Sequence, residues 1–352
     1  METASLDFLK RLLNAPSPSG YERPCQDVVR DYVASFAEEV RTDLHGNVIV
    51  GRNTAAPLRL MLAGHCDQIG LQVQHIDADG FIYVQPIGGW DVQVLIGQRL
   101  TAWGAGGAVP GVMARKAIHL LTDEERKQIP KMKDLWLDIG ARNKEEAEKL
   151  IAVGDPVTLE LGYHALQNGF AAAAAMDDKC GVWVVIEALR RTVGKRLNCA
   201  LFAVSTVQEE IGLRGARTSA YSIDPQLGIA VDVTHATDCP TIDKKQEGDI
   251  RLGLGPVIYR GPNMNPVMVD RLVAAAQARE LPYQMGANNR ASGTDANTMQ
   301  ISRGGMATGL VSIPNRYMHS PVEMISLDDI DRAADLLAEF ALRLTGDEDF
   351  TP

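Results

Sequence analysis

The chain has 352 residues, 45% hydrophobic and 23% charged, enough to bury a sizeable core and form two domains, and too apolar for disorder. The net charge of −10, with no basic tract interleaved with aromatics, argues against a nucleic-acid surface. No apolar run approaches the roughly 20 residues that span a bilayer. Five scattered cysteines (Cys25, Cys66, Cys180, Cys199 and Cys239) lack CxxC spacing, and the N-terminus lacks a secretory pattern. Both read as a cytoplasmic protein with reduced thiols.

In chain order, "METASLDFLKRLL" is an amphipathic helix, and a second helical segment follows. "EEVRTDLHGNVIVGRN" predicts a strand pair turned at His45-Gly46-Asn47, and "LRLMLAGH" a buried strand. From about Gln72 to Leu161 short strands alternate with Gly-rich turns, as in a small barrel, with a charged helical piece, "KEEAEKLIAV". Beyond it, "KCGVWVVIEALRRTV" predicts a helix, and "CALFAVSTVQ", "QLGIAVDVT" and "GMATGLVSIP" predict apolar strands between further helices. This alternation predicts an α/β fold: a mostly parallel central sheet with helices on both faces. The sheet domain spans 1–72 and 163–352 and is interrupted by a small β-rich, barrel-like domain at 73–162.

Each apolar strand runs out into groups able to hold a metal: His65 and Asp67, Glu209 and Glu210, Asp232, then His319. In open α/β sheets ligands bind beyond the carboxyl ends of the strands. Histidines and carboxylates gathered there suit zinc or a similar divalent ion. Taken singly, each has a plainer reading: a satisfied histidine, a turn-capping Asp, solvated charge. Their shared placement after strands of one sheet tips the balance. His45, His75, His119, His164 and His235 lack that context and read as structural. In "AAAAAMDDKCGV", one of the adjacent Asp177 and Asp178 is explained by a helix N-terminus and the other is not.

Together, "AGHCDQIGL", "MDDKCGV", "VQEEIGLRGA", "VDVT", "SGTDA" and "IPNRYMHSPVE" resemble the cytoplasmic dinuclear metallo-aminopeptidases that include glutamyl and deblocking aminopeptidases and the tetrahedral (TET) particles. Within the insert, "IGGWDVQVLIGQRL" and "DLWLDIGARNKEEAEKL" resemble that family's dimerisation domain. The resemblance implies His65, Asp177, Glu210, Asp232 and His319 as ligands of two divalent ions, zinc or cobalt, with Asp177 bridging. It implies Glu209 as general base and Asp67 as the acid that orients His65. It further implies short-peptide substrates, self-association into dimers and a dodecamer, and a cis peptide between Asp177 and Asp178, with Asp178 turned away from the metals to hold nearby backbone or a ligand histidine. Gln68 stands where the family more often has an acid, and the five alanines are an unusual lead-in.

Two metals about 3.5–4 Å apart activate water and clamp developing charge, while an outlying carboxylate moves the proton. Adjacent strand residues face opposite ways, so different roles for Glu209 and Glu210 require the backbone to turn there. The alternatives are a related carboxypeptidase or aminoacylase, and a glycosidase, whose paired carboxyls would leave the histidines unexplained. A catalytically dead scaffold is disfavoured by the complete ligand set. Arg316 and Lys244-Lys245 could favour an acidic N-terminal residue, but read as structural or surface charge.

Overall fold

The computed structural model describes residues 1–352. Helices α1 (Thr3–Asn14) and α2 (Arg23–Val33) precede the antiparallel strands β1 (Glu39–Thr42) and β2 (Val48–Arg52). Asp43 builds their turn, its Oδ1 accepting the amides of His45, Gly46 and Asn47. Strand β3 (Arg59–His65) is buried along nearly its whole length.

Six strands then close a barrel: β4 (Gly70–Ile76), β5 (Ile82–Ile87), β6 (Arg99–Gly104), β7 (Gly107–Ala114), β8 (Trp136–Asp138) and β9 (Pro156–Leu159). Around the ring they run β4-β5-β8-β7-β6-β9. Closure leaves no free edge, and Leu71, Val84, Leu100, Met113, Leu137 and Val157 give the barrel its own apolar core. Short helices α3 (Asp123–Lys127) and α4 (Lys144–Glu148) lie in its connections. The helix expected over "KEEAEKLIAV" is thus only five residues long. Leu150 and Ile151 both bond back to the Ala147 carbonyl, and Gly154, in the left-handed region, turns the chain into β9.

The remaining elements are β10 (His164–Ala165), β11 (Phe170–Ala173), α5 (Met176–Arg191), β12 (Ala200–Thr206), α6 (Arg214–Ile223), β13 (Leu227–His235) and α7 (Lys244–Glu247). They continue as β14 (Val257–Arg260), α8 (Pro266–Ala278), β15 (Gln284–Ala287), α9 (Asp295–Gln300), β16 (Ala307–Asn315), β17 (Glu323–Ser326) and α10 (Leu327–Arg343). The large sheet runs β1-β2-β12-β3-β13-β16-β14-β15. Its centre, β12-β3-β13-β16, is wholly parallel, while β2 and β14 join it antiparallel. The sheet is therefore mixed, with a parallel core where the sequence placed one.

Helix α5 is buried along almost its entire length, between the sheet on one side and α1 and α10 on the other, so that even Lys179 and Glu187 are enclosed. It can lie this close to β3 because Gly64 has no side chain. A Cβ on Gly64 would stand 2.6 Å from the Gly181 carbonyl carbon. The alanine run also has a packing reason. It forms β11, paired with β10 and β17, and continues between the two cores. Ala171 and Ala173 pack in the sheet core, and Ala174 packs in the barrel core. Larger side chains would push the two apart.

Candidate metal centre

At the carboxyl edge of the parallel core, β3 ends in His65, β13 carries Asp232, and Glu209-Glu210 follow β12. His319 follows β16, and Asp177 enters from the start of α5. Asp177 lies between the two histidines. Its Oδ1 is 3.2 Å from His65 Nε2 and its Oδ2 is 3.3 Å from His319 Nε2. Glu210 Oε2 lies 3.5 Å from His319 Nε2. Asp232 and Glu209 approach His65 Nε2 at 3.9 and 4.0 Å. Two groups result, His65–Glu209–Asp232 and Asp177–Glu210–His319, each with its donor atoms within 4.8 Å of one another.

The backbone turn needed to separate Glu209 from Glu210 is present. Gln208 adopts a positive φ of 56°, and the Glu209 carbonyl accepts the amides of Gly212 and Leu213. Asp67 holds this turn, its Oδ1 accepting the Glu209 amide at 2.9 Å and its Oδ2 the Glu210 amide at 3.2 Å. Ser19 Oγ donates to the same Oδ2. Asp67 therefore does more than the orienting of His65 expected of it. His65 Nδ1 meets the Asp67 backbone carbonyl at 3.0 Å, and the carboxylate stands off at 3.6 Å. A carbonyl only accepts, so the proton sits on Nδ1 and Nε2 faces the acids.

The Asp177–Asp178 peptide is cis, as expected. Asp178 faces away from the cluster, accepting the His65 amide at 3.1 Å and the Gly181 amide at 3.1 Å. Two further acids, Glu323 and Asp295, support the cluster. Glu323 accepts the amides of Asp177 (2.9 Å) and His319 (2.8 Å), tying together segments far apart in sequence. Asp295 accepts the Thr206 hydroxyl at 2.6 Å beneath the Glu209 turn. Their signals were "SPVE" and "SGTDA" themselves, which end no strand.

Electrostatics fit a cation site. Burial pushes Glu209 up to about 11, with Asp232, Asp295 and Glu210 adding to it against His65. Burial and Asp177 push Glu210 up to about 8. Bonding to Asp177 raises His319 to about 9. For His65, burial works against the proton, but Glu209, Asp177 and Asp67 prevail and hold its pKa well above normal. Burial likewise raises Asp177, yet the two histidines keep it below the usual carboxylate range. So many buried acids stay charged only with positive charge beside them. Glu210 Oε1 is buried with no hydrogen-bond partner, and the nitrogen and oxygen donor set suits a divalent transition metal.

The cluster lies in a cleft of about 740 Å³. His235, read from sequence as structural, lines it together with Tyr259, Asn288, Asn289, Ser292, Glu247 and Met318. No lysine or arginine does. Arg316 is held by Asp238 at 2.7 and 2.8 Å, and Lys244 by Asp249 at 2.7 Å.

Residues 46–336 match the family model of the M42 glutamyl aminopeptidases. Lysyl aminopeptidase of Pyrococcus furiosus is 38% identical, over 98% of this chain and 99% of its own. A TET aminopeptidase structure from a marine-sediment Thaumarchaeota archaeon superposes with TM-score 0.92 at 34% identity, over 97% and 96% of the two chains. Pyrococcus horikoshii TET1 peptidase, described as able to assemble into a tetrahedron or a large octahedral shell, has TM-score 0.87 at 29% identity, over 97% and 100%. The chain belongs to the M42 glutamyl aminopeptidase family and is an aminopeptidase.

Proposed function

We propose that this aminopeptidase removes N-terminal residues from short peptides with two divalent cations, zinc or cobalt, held by His65, Asp177, Glu210, Asp232 and His319. The observation that carries this reading is the placement of Asp177, with one oxygen facing each histidine at 3.2 and 3.3 Å. When bound, the cations supply the positive charge that lowers the pKa of water and stabilises a developing oxyanion. His65, Asp232 and Asp177 would hold the inner ion; His319, Glu210 and Asp177 the outer.

Glu209 is the general base. It stands 4.0 Å from His65 Nε2, beyond Asp177, close enough to take a proton from water poised over the cluster and pass it to the leaving amine. Asp67 keeps the Glu209 and Glu210 amides fixed, so the base and its neighbouring ligand hold opposite aims. Glu209→Gln tests the role. The amide keeps the shape but cannot accept the proton, so turnover should fall by about 10²–10⁴-fold with metal content unchanged. Loss of an ion instead would make Glu209 a ligand. Exhaustive chelation should abolish hydrolysis of an aminoacyl p-nitroanilide, and zinc or cobalt should restore it.

With Arg316 and Lys244 engaged elsewhere, Glu247 is the one charged cleft residue outside the cluster that could meet a substrate side chain. This favours basic or neutral N-terminal residues over acidic ones, in line with the name of the lysyl aminopeptidase relative.

The barrel is the assembly domain in this reading. Ile118, Leu120 and Ile129 on its 115–130 segment are each more than half exposed, as on surfaces that pair. Dimers and a hollow twelve-subunit particle follow by analogy with the TET relatives, and would confine the enzyme to short, unfolded peptides. Light scattering showing only monomer would count against this.

A further inference from the structure

The two histidines of the centre are held in different ways. His65 Nδ1 meets a carbonyl two residues away on its own loop. His319 Nδ1 meets the Gly89 carbonyl at 2.9 Å, across 230 residues of sequence. Gly89 follows β5, so it belongs to the barrel. The barrel therefore reaches into the metal centre through one short loop, Gly88-Gly89-Trp90.

That loop is shaped for the approach. Gly88 has a φ of +75°, and a Cβ there would meet Ile69 Cγ2 at 2.6 Å and Glu210 Oε2 at 3.3 Å. On Gly89 a Cβ would lie 3.4 Å from His319 Nδ1. Bare backbone alone fits between Ile69, Glu210 and His319. Trp90 Nε1 anchors the loop by donating to the Gly70 carbonyl at 2.8 Å, and Asp91 caps the following turn by accepting the Gln93 amide at 2.9 Å.

We infer that the Gly88-Gly89 segment of the barrel is a positioning element for the outer half of the metal centre. The Gly89 carbonyl accepts from Nδ1 of His319, so Nε2, which faces Asp177 and Glu210, is the nitrogen left to hold an ion once its own proton is displaced. A carbonyl or carboxylate behind a metal-binding histidine fixes ring orientation and tautomer, and its loss typically costs 10–100-fold in metal affinity. The inner half has no contact of this kind with the barrel, because Asp67 and Asp178 hold His65 from within the sheet domain. The loop thus ties the state of the assembly domain to one ion and not the other.

This inference rests on the two-ion reading above, and one experiment separates them. Cobalt is titrated into the metal-stripped full-length protein against a competing chelator, and the visible cobalt spectrum reports each site. Wild type should bind two ions per chain. Gly88→Ala, with its Cβ forced against Ile69 and Glu210, should weaken the outer ion by about tenfold or more and leave the inner ion's affinity and spectrum unchanged. Trp90→Phe keeps an aromatic ring, smaller than the indole, and removes the anchoring hydrogen bond. It should weaken the same ion to a smaller degree, which keeps the test open if Gly88→Ala does not fold. Equal affinities for both ions in wild type and folded variants, or parallel loss of both, would overturn the inference alone. A single ion per wild-type chain would overturn the two-ion reading and this inference with it.

Discussion

The two halves of the proposed metal centre are built by opposite strategies. The inner half draws His65 and Asp232 from neighbouring strands of one sheet, and His65 is 2% exposed. The outer half gathers His319, Glu210 and the Gly89 carbonyl from three remote segments, and His319 is 34% exposed. One half inherits its precision from sheet register. The other depends on contacts between loops and leaves room for a substrate to enter. Asp177 is what they share.

The most severe test of this contrast is therefore Asp177→Asn. An amide cannot offer two anionic oxygens, so both ions should weaken together and hydrolysis should fall to background, read by metal analysis and turnover. His65→Ala and His319→Ala should instead separate the halves, each removing one ion first. Loss of only one ion in Asp177→Asn would refute the bridging role.

Glu323→Ala addresses the next level of support. It leaves the Asp177 and His319 amides without their acceptor, a loss of about 1–3 kcal/mol in stability. A drop of about 10–100-fold in metal affinity is expected, greater for the outer ion because His319 loses its backbone tether as well. Unchanged metal binding in a folded variant would reduce Glu323 to a structural acid.

A smaller effect follows from pH. In the ion-free chain His319 holds its proton up to about 9 and Glu210 up to about 8. Both values are raised, so below them protons compete with the ion, and affinity should increase from pH 6 to 9. At pH 7 filling the outer half should release close to two protons, nearly one each from His319 and Glu210. Calorimetry in buffers of different ionisation enthalpy measures this, and release of none would contradict the proposed ligands.

How much of this was legible in the sequence follows the same division. Strand ends are periodic and apolar, so His65, Glu209, Glu210 and Asp232 could be placed at one sheet edge from pattern alone. His319 lies four residues beyond the end of β16, so the strand pattern points to it more loosely, and only the resemblance assigns it a role. Glu323 works by accepting two amides, one of them 146 residues away, and no local pattern encodes that. The Gly89 contribution is a backbone carbonyl, which carries no side-chain signal at all. The alanine run made sense only once β11 was seen threading between two cores. Asp67 has a second task that its spacing to His65 does not reveal, since its carboxylate also accepts the Glu209 and Glu210 amides.

The mildest prediction concerns Gln68, behind the inner half. Lys179 is fully buried, and its Nζ donates to the Ala15 carbonyl at 2.6 Å and to Gln68 Oε1 at 2.7 Å. Both acceptors are neutral, and burial lowers the lysine's pKa. A folded-state pKa below the unfolded one means that stability is withheld while the lysine is charged and recovered as pH rises toward its unfolded value. Gln68→Glu would place a carboxylate at the same position. Hydrogen bonds to charged groups contribute about 1.5–3 kcal/mol against about 0.5–1.5 for neutral ones. The variant should therefore gain about 1 kcal/mol at neutral pH, a rise of about 2 °C in Tm for a chain of this size. The gain should shrink as pH climbs and wild-type Lys179 loses its proton. Metal content and turnover should not change, because Gln68 bonds to Lys179 and Ser17 and to none of the proposed ligands. A Tm that stays level or falls would mean that Asp67 and Glu22 repel the new charge more than Lys179 attracts it, and that the amide suits this chain better than an acid.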